Sequence, residues 1–490
     1  MSQETHKFSS KFPPVNDTDW RDLTEKFIKG ADFDDTLVRR TEDDIAKGPL
    51  FSANDIENSA PVLRSEQPHL DGRPWHIGAL VDYPDIKTAN LDLLEELKGG
   101  ASCIVLELGT QSKNGVQIRT KSDVERLFSG VFTNLVPINV LPSHDNFEVA
   151  AVLAAHFKTS PNIKDIHVSL GYAPLQSTKN IGDICNWVRS NIPHWKALSV
   201  NARAVHEAGG TPAQELAYML QMACTYIRAM LKADLSIDEA VDLMDVYLAS
   251  DQDGHQDIVK LRAAHLLLGN LTDGFDPGGN NNNWTINAVS SNRMMAAQDP
   301  WSNMIRLNSA CFGAICGGAD TITLLPFTEA IGLATPFAKR MSRNLQLMMM
   351  EESHLGQVYD PTSGSFMHEK LTNDLAQKAW DLFQTMQSQT EPTEWLENEI
   401  TVAREMRETK IENDEILLVG VNQFAKPDVR KAEVRKPIEL KPRKGELIAA
   451  SSFTIAVDQA NNGRLTPPRG PQRIFKPIRI SKKFDDAGIA

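Results

Sequence analysis

Ala197 to Ala202 form a short apolar run, and Leu216, Met219, Leu220, Ala223, Ile227 and Met230 then recur at helical period. The run reads as a buried β-strand and the stripe as one face of an amphipathic helix. Gly209-Gly210 breaks the chain between them. Thr211 and Gln214 stand in capping-box spacing, and Pro212 occupies the first helical position, where its missing N–H costs nothing. The same strand-then-helix pattern repeats along the chain. Candidate strands are Trp75–Leu80, Ser102–Leu108, Leu135–Leu141, Lys164–Leu170, Ala197–Ala202, Leu243–Ala249, Thr285–Val289 and Thr321–Leu325. Eight such units in about 250 residues predict an α/β fold of the (β/α)8 (TIM) barrel class. A doubly wound open sheet competes, but it needs a phosphate-binding glycine loop after its first strand, and that stretch holds none.

Weaker patterns flank the barrel. Residues 1–60 carry one helix, Asp19 to Lys29, and apolar positions too sparse for a core, so they predict an arm. The arm either packs on the main domain or embraces a second subunit. Residues 61–385 make the barrel and its closing helices, and 386–425 a helical linker ending in a strand-like run, Glu415 to Asn422. Residues 426–490 read as an irregular tail rich in proline and lysine. Met348-Met349-Met350 on a predicted helix reads as core filler.

Charge alters this picture at one end. The chain's 490 residues carry a formal net charge of −13, which disfavours nucleic acid as a partner. Residues 426–490 nonetheless hold 15 Lys+Arg against 7 Asp+Glu, leaving 36 against 57 for the rest. A basic tail on an acidic body predicts docking on that body or on a partner. The five cysteines, Cys103, Cys185, Cys224, Cys311 and Cys316, are widely spaced and fit reduced, buried thiols. No apolar stretch is long enough for a spanning helix, and the segment from Met1 to Lys7 has no signal-peptide core. These features predict a cytoplasmic protein with no membrane partner.

Several tempting motifs carry no chemistry. Asp253-Gly254-His255 begins an Asp-x-His-x-x-Gly pattern, but Ile258 stands where the final glycine belongs. Gly317-Gly318-Ala319-Asp320 lacks the lysine and third glycine of a phosphate loop, so a close helix–strand contact is the expected reason for its glycines. Gly278 to Asn283 reads as a flexible surface loop. The histidines at 144, 156, 167, 194, 265, 354 and 368 share no metal-ligand spacing. No Gly-x-Ser-x-Gly elbow occurs.

A family resemblance rests on longer stretches. Lys29-Gly30-Ala31-Asp32-Phe33 through Val38, Pro49-Leu50-Phe51, and Glu207-Ala208-Gly209-Gly210-Thr211 through Tyr218 resemble the methylmalonyl-CoA mutase family. So do Lys260 to Ala264, Gln298-Asp299-Pro300-Trp301, Arg343 to Leu347, and Asp360-Pro361 through Thr372. The likeness covers roughly residues 15–425 in the family's order. It implies a barrel that binds acyl-CoA along its axis. Adenosylcobalamin is then held at one mouth by a C-terminal domain with an Asp-x-His-x-x-Gly loop.

The departures are as informative. Catalytic chains of the family carry Gly-Tyr-His-Met-Gln before Glu-Ala-Gly; here those positions read Ala202-Arg203-Ala204-Val205-His206, so Ala204 replaces the catalytic histidine. Lys179 stands for the active-site arginine, keeping charge but losing the bidentate grip. Leu80 stands for the tyrosine that wedges against the cofactor, and Asp320 for a glutamine. Loss of one positioned donor alone costs about a hundredfold in rate.

The resemblance therefore implies the small (β) subunit of a heterodimeric mutase lacking the cobalamin-binding domain, itself inactive and structural. It has no catalytic, cofactor-binding or metal residues of its own. Its partner would be the large (α) catalytic subunit, carrying adenosylcobalamin and acyl-CoA. Two other readings stand beside it: the acyl-CoA-binding large chain of a split mutase, and a mutase-derived chaperone or regulatory barrel.

Overall fold

The computed structural model describes residues 16–56, 72–109, 115–175, 180–278, 283–438, 443–470 and 475–487. Eight parallel strands close on themselves: β1 His76–Val81, β2 Cys103–Leu106, β3 Ile138–Val140, β4 Val168–Tyr172, β5 Lys196–Asn201, β6 Met244–Ser250, β7 Thr285–Ser290 and β8 Thr321–Thr323. The last strand pairs with both β7 and β1, which completes the barrel. Nearly every strand residue is buried, as expected where a helix covers one face and the barrel interior the other. All eight predicted strands form, with ends displaced by up to four residues. Lys164, for example, falls in a one-turn 3-10 helix (Ile163–Asp165) before β4 begins.

A helix follows each strand. In chain order after the arm helix α1 (Asp17–Phe27), these are α2 Ile86–Lys98, α3 Lys121–Leu127, α4 Phe147–Phe157, α5 Ile181–Asn191, α6 Pro212–Leu231, α7 Gly254–Phe275, α8 Asn303–Gly317 and α9 Pro336–Glu351. Helix α6 starts where the capping box predicts: Gln214 N–H donates to Thr211 Oγ1 at 3.3 Å, and Thr211 N–H to Gln214 Oε1 at 3.0 Å. Gly317 lies against Leu261 of α7, whose Cβ would stand 2.7 Å from an added methyl, so the close contact is helix to helix rather than helix to strand. Gly318, at φ +88°, ends α8 in the left-handed conformation.

Two further helices, α10 (Phe366–Gln387) and α11 (Pro392–Glu412), pack outside the barrel. Motif residues anchor them. Arg262, 1% exposed, donates to Asp360 at 3.2 Å and Glu369 at 2.8 Å, tying α7 to α10. Lys260 pairs with Glu215 at 3.1 Å and Asp257 at 3.2 Å, tying α7 to α6. Removing one partner of such a buried pair costs about 3–5 kcal/mol, so these residue types hold the scaffold whatever the barrel does.

Three local expectations differ from the structure. The run from Glu415 to Asn422 forms turns: Leu417 and Val419 face solvent while Leu418 and Val421 bury against Ile411, which is not the alternation of a strand. Of the methionine triplet, Met349 and Met350 pack on the core but Met348 is 55% exposed. The tail is not wholly irregular: Ser452 caps a helix, α12 (Phe453–Asn461), that buries Phe453, Ala456, Val457 and Ala460. Phe453 sits edge-on to Phe147 of α4 and Trp187 of α5.

The basic tail docks on its own body. Arg435 grips Asp92 through both carboxylate oxygens at 2.7 Å, and Arg443 bonds Asp123 at 2.5 Å. All five cysteines are buried, and no disulfide joins them. Among the described residues, no helix is long and apolar enough to cross a membrane.

Candidate functional site

In a parallel barrel the loops beyond the C-terminal strand ends carry the chemistry. Beyond β5, Ala202 leads into one turn of helix, Arg203–Glu207, and Gly209, at φ +106°, turns the chain into α6. Ala204 faces a cavity of about 10 Å3 that it shares with Ser143, His144, Asn201, Tyr218, Tyr226 and Phe475. That is space for roughly one water. Phe475, from the tail, is 2% exposed and meets Tyr218 edge-to-face with ring centroids 5.0 Å apart. The tail then crosses the mouth: Ile478 N–H donates to Glu207 O at 2.8 Å, and Ile480 N–H to Arg293 O at 3.0 Å. The end of the barrel that would meet a cofactor is thus covered by the protein's own chain.

His206 does not line the cavity in front of Ala204. Its side chain is 2% exposed and accepts or donates one hydrogen bond with Ser291 Oγ at 2.8 Å. Its other nitrogen lies 3.8 Å from Glu215. Burial, then the nearby Arg293 and Lys260, hold its pKa well below the usual histidine value, so the ring is neutral. Around it Arg293 bonds Asp251 at 2.8 Å and two carbonyls, and Glu207 accepts the N–H groups of Asn292 and Arg293 at 3.0 Å. The cluster knits three strand-end loops together without an open position in front of any member.

The other expected positions scatter. Arg203 pairs with Glu207 at 2.9 Å. Leu80 is buried in β1, and its carbonyl accepts from Lys339 Nζ at 3.2 Å. Asp320 precedes β8 and so lies at the opposite end of the barrel from Ala204, where its carboxylate accepts Ile286 N–H at 2.7 Å. Lys179 lies outside the described residues. Leu80 and Ala204 therefore share the C-terminal end and Asp320 does not.

Side chains also cross the barrel axis. Asn139 Nδ2 on β3 donates to Asn287 Oδ1 on β7 at 3.3 Å, a bond between opposite strands that has to pass through the interior. Asn287 also donates to Asp245 on β6 at 3.2 Å, and Asp245 accepts from Ser199 on β5, which meets Ser169 on β4 at 3.4 Å. Burial raises the pKa of Asp245 despite these bonds. None of these five residues stands out in the sequence, since Ser, Asn and Asp inside apolar strands carry no spacing signal. Phe475 was equally hidden, one of three phenylalanines in the basic tail.

Adenosylcobalamin, which the family resemblance implies, has a poor fit here. The space in front of Ala204 is about 10 Å3 and the tail covers the mouth. Asp253 of the incomplete ligand motif caps α7 through Gln256 N–H at 3.1 Å, while His255 Nδ1 faces His368 Nε2 at 3.1 Å. Among the described residues, no group of three or more His, Cys, Asp or Glu side chains could hold a metal ion.

Fold and site together define a class: a (β/α)8 barrel whose axis is crossed by its own polar side chains and whose C-terminal mouth is closed by its own tail. Comparison with known proteins makes the lineage specific. The family profile described as Methylmalonyl-CoA mutase matches residues 166–450, more than half of the chain. The chain belongs to the methylmalonyl-CoA mutase family. It is 30% identical over 406 residues to the methylmalonyl-CoA mutase small subunit of Streptomyces virginiae, covering 77% of this chain and 64% of that protein. It is 31% identical over 418 residues to a probable methylmalonyl-CoA mutase small subunit of Mycobacterium tuberculosis, covering 79% and 66%. The small subunit from Propionibacterium freudenreichii is 27% identical over 479 residues, covering 91% and 74%. The chain spans just under two thirds of the length of the first two.

Proposed function

We propose that this chain is the non-catalytic small subunit of a heterodimeric methylmalonyl-CoA mutase, an isomerase whose chemistry its large-subunit partner performs. The carrying observation is Ala204, a methyl group at the mouth position where the family's catalytic chains hold histidine, with Phe475 packed into the space before it. A methyl group neither donates a hydrogen bond to a thioester carbonyl nor stabilises charge that develops there. Adenosylcobalamin and acyl-CoA belong on the partner in this reading. The tail over the mouth and the polar side chains across the axis support that assignment.

The arm supports the partnership. Helix α1 has no buried residue, and Leu23 and Phe27, one turn apart, are 64% and 84% exposed. Its Asn16 cap and acidic first turn show a well-formed helix rather than a loose end. An apolar stripe on a stable helix fits an arm that reaches for a second subunit. Co-expression with the large chain is the test: a co-purifying one-to-one complex is expected, and two independent monomers would reject the reading.

A further inference from the structure

The loop after β2 and the returning tail enclose a second cavity, of about 100 Å3, beside the rim of the C-terminal mouth. Its walls are apolar at Leu108, Val116 and Ile118 and cationic at Arg119 and Arg469. One arginine comes from the loop and the other from the tail, so the cavity exists only while the tail is docked. Arg469 donates Nη1 to Leu108 O at 2.8 Å and Nη2 to Asn146 Oδ1 at 2.6 Å, which leaves its buried Nε unpartnered among the described residues. Arg119 is barer. Its Nε is also buried and unpartnered, and among the described residues its guanidinium makes no hydrogen bond or ion pair.

The nearest carboxylate cannot serve Arg119. Asp123 already accepts the backbone N–H groups of Arg119 and Thr120 at 2.9 Å and pairs with Arg443 and Arg126. Around Arg469 the acidic neighbours are Glu107, Asp145 and Glu148. Asp145 is occupied by His144 at 2.9 Å and by Gly470 N–H at 3.1 Å. Burial pulls Arg469 down to about 10 in spite of them, and burial with the Arg443 charge lowers Arg119. Two guanidinium groups thus face one small cavity, each with its buried Nε–H unused. A buried charged donor left unpaired is costly, and an ion or ordered water is the usual resolution.

We propose that this cavity binds a small phosphate-type oxyanion between Arg119 and Arg469, and that the anion locks the tail onto the barrel. The volume suits one phosphoryl group; drug-sized ligands occupy about 300–1,000 Å3. Planar guanidinium forks match the oxygens of such an anion. Because the tail supplies half of the site, binding stabilises the docked tail in proportion to the logarithm of anion concentration. The site is independent of the mutase reading and stands or falls on its own.

The test uses the full chain in phosphate-free buffer, titrated with inorganic phosphate against potassium chloride of equal ionic strength. Saturable one-to-one binding by calorimetry, with slower hydrogen exchange at 464–470, is expected. Arg119→Gln should weaken phosphate binding at least tenfold while leaving the melting temperature without phosphate unchanged, since that guanidinium makes no bond to lose. Arg469→Gln should weaken binding and also loosen the tail. Absence of saturable binding, or binding unaltered by Arg119→Gln, overturns the proposal. A parallel titration with phenyl phosphate identifies the source: equal binding points to the phosphoryl group of a larger molecule, and preference for the inorganic ion to free phosphate.

Discussion

The C-terminal mouth and the N-terminal arm treat apolar surface in opposite ways. At the mouth, Phe475 and the segment around Ile478 cover the ends of the barrel strands, and what remains before Ala204 holds about one water. On the arm, Leu23 and Phe27 stand in solvent on a capped helix whose other face meets Phe33 through Trp20. The face where barrels of this kind do chemistry is closed, and an apolar pair on the arm is left exposed. Under the proposed reading, a chain that leaves catalysis to its partner accounts for the first, and recognition of that partner accounts for the second.

The comparison breaks most completely at the arm. Leu23→Asp with Phe27→Asp should weaken association with the large mutase chain roughly a thousandfold, from about 2 kcal/mol for each anchor. The melting temperature of the isolated chain should stay put, because neither side chain is buried; sedimentation and calorimetry check both. At the mouth, Phe475→Ala should cost about 3 kcal/mol in unfolding free energy through the cavity left beside Tyr218. Proteolysis of the tail should accelerate, while the assembled complex turns over as before. Should opening the mouth create activity, the closed-site reading is lost.

Between these regions Asp43 fastens the arm to the barrel. Its buried carboxylate accepts the Ala213 N–H at 3.2 Å at the start of α6, beside the Arg407–Glu42 pair. Burial pushes its pKa up to about 6. The folded state therefore holds this proton more tightly than the unfolded chain, and stability falls as pH rises from about 4 to 6. Asp43→Asn keeps the acceptor without the charge. It should remove that fall, worth on the order of 2 kcal/mol, in denaturant titrations at pH 4.5 and 7. The smallest effect belongs to Arg21→Ala, which removes an exposed ion pair with Glu25 and a stack on Phe33 and should cost about 1 kcal/mol or less in unfolding free energy.

The barrel was legible because its strands are buried on both faces and read as apolar runs, and because Thr211, Pro212 and Gln214 announce a helix in three residues. The candidate site was legible only through the family resemblance, which sets Ala204 where a catalytic chain is expected to carry histidine. Direction along the strand carries more than position alone: Asp320 precedes β8 while Ala204 follows β5, which in a parallel barrel sends them to opposite ends. Phe475 was not legible. Its place at the mouth depends on a tail threading back across the barrel through arginine contacts such as Arg435–Asp92, and no periodicity encodes that path.

The most direct measurement is turnover by the purified chain alone, supplied with adenosylcobalamin and methylmalonyl-CoA, beside the same assay on its complex with the large subunit. The account predicts succinyl-CoA from the complex and none from this chain. Succinyl-CoA formed by this chain without a partner would contradict it.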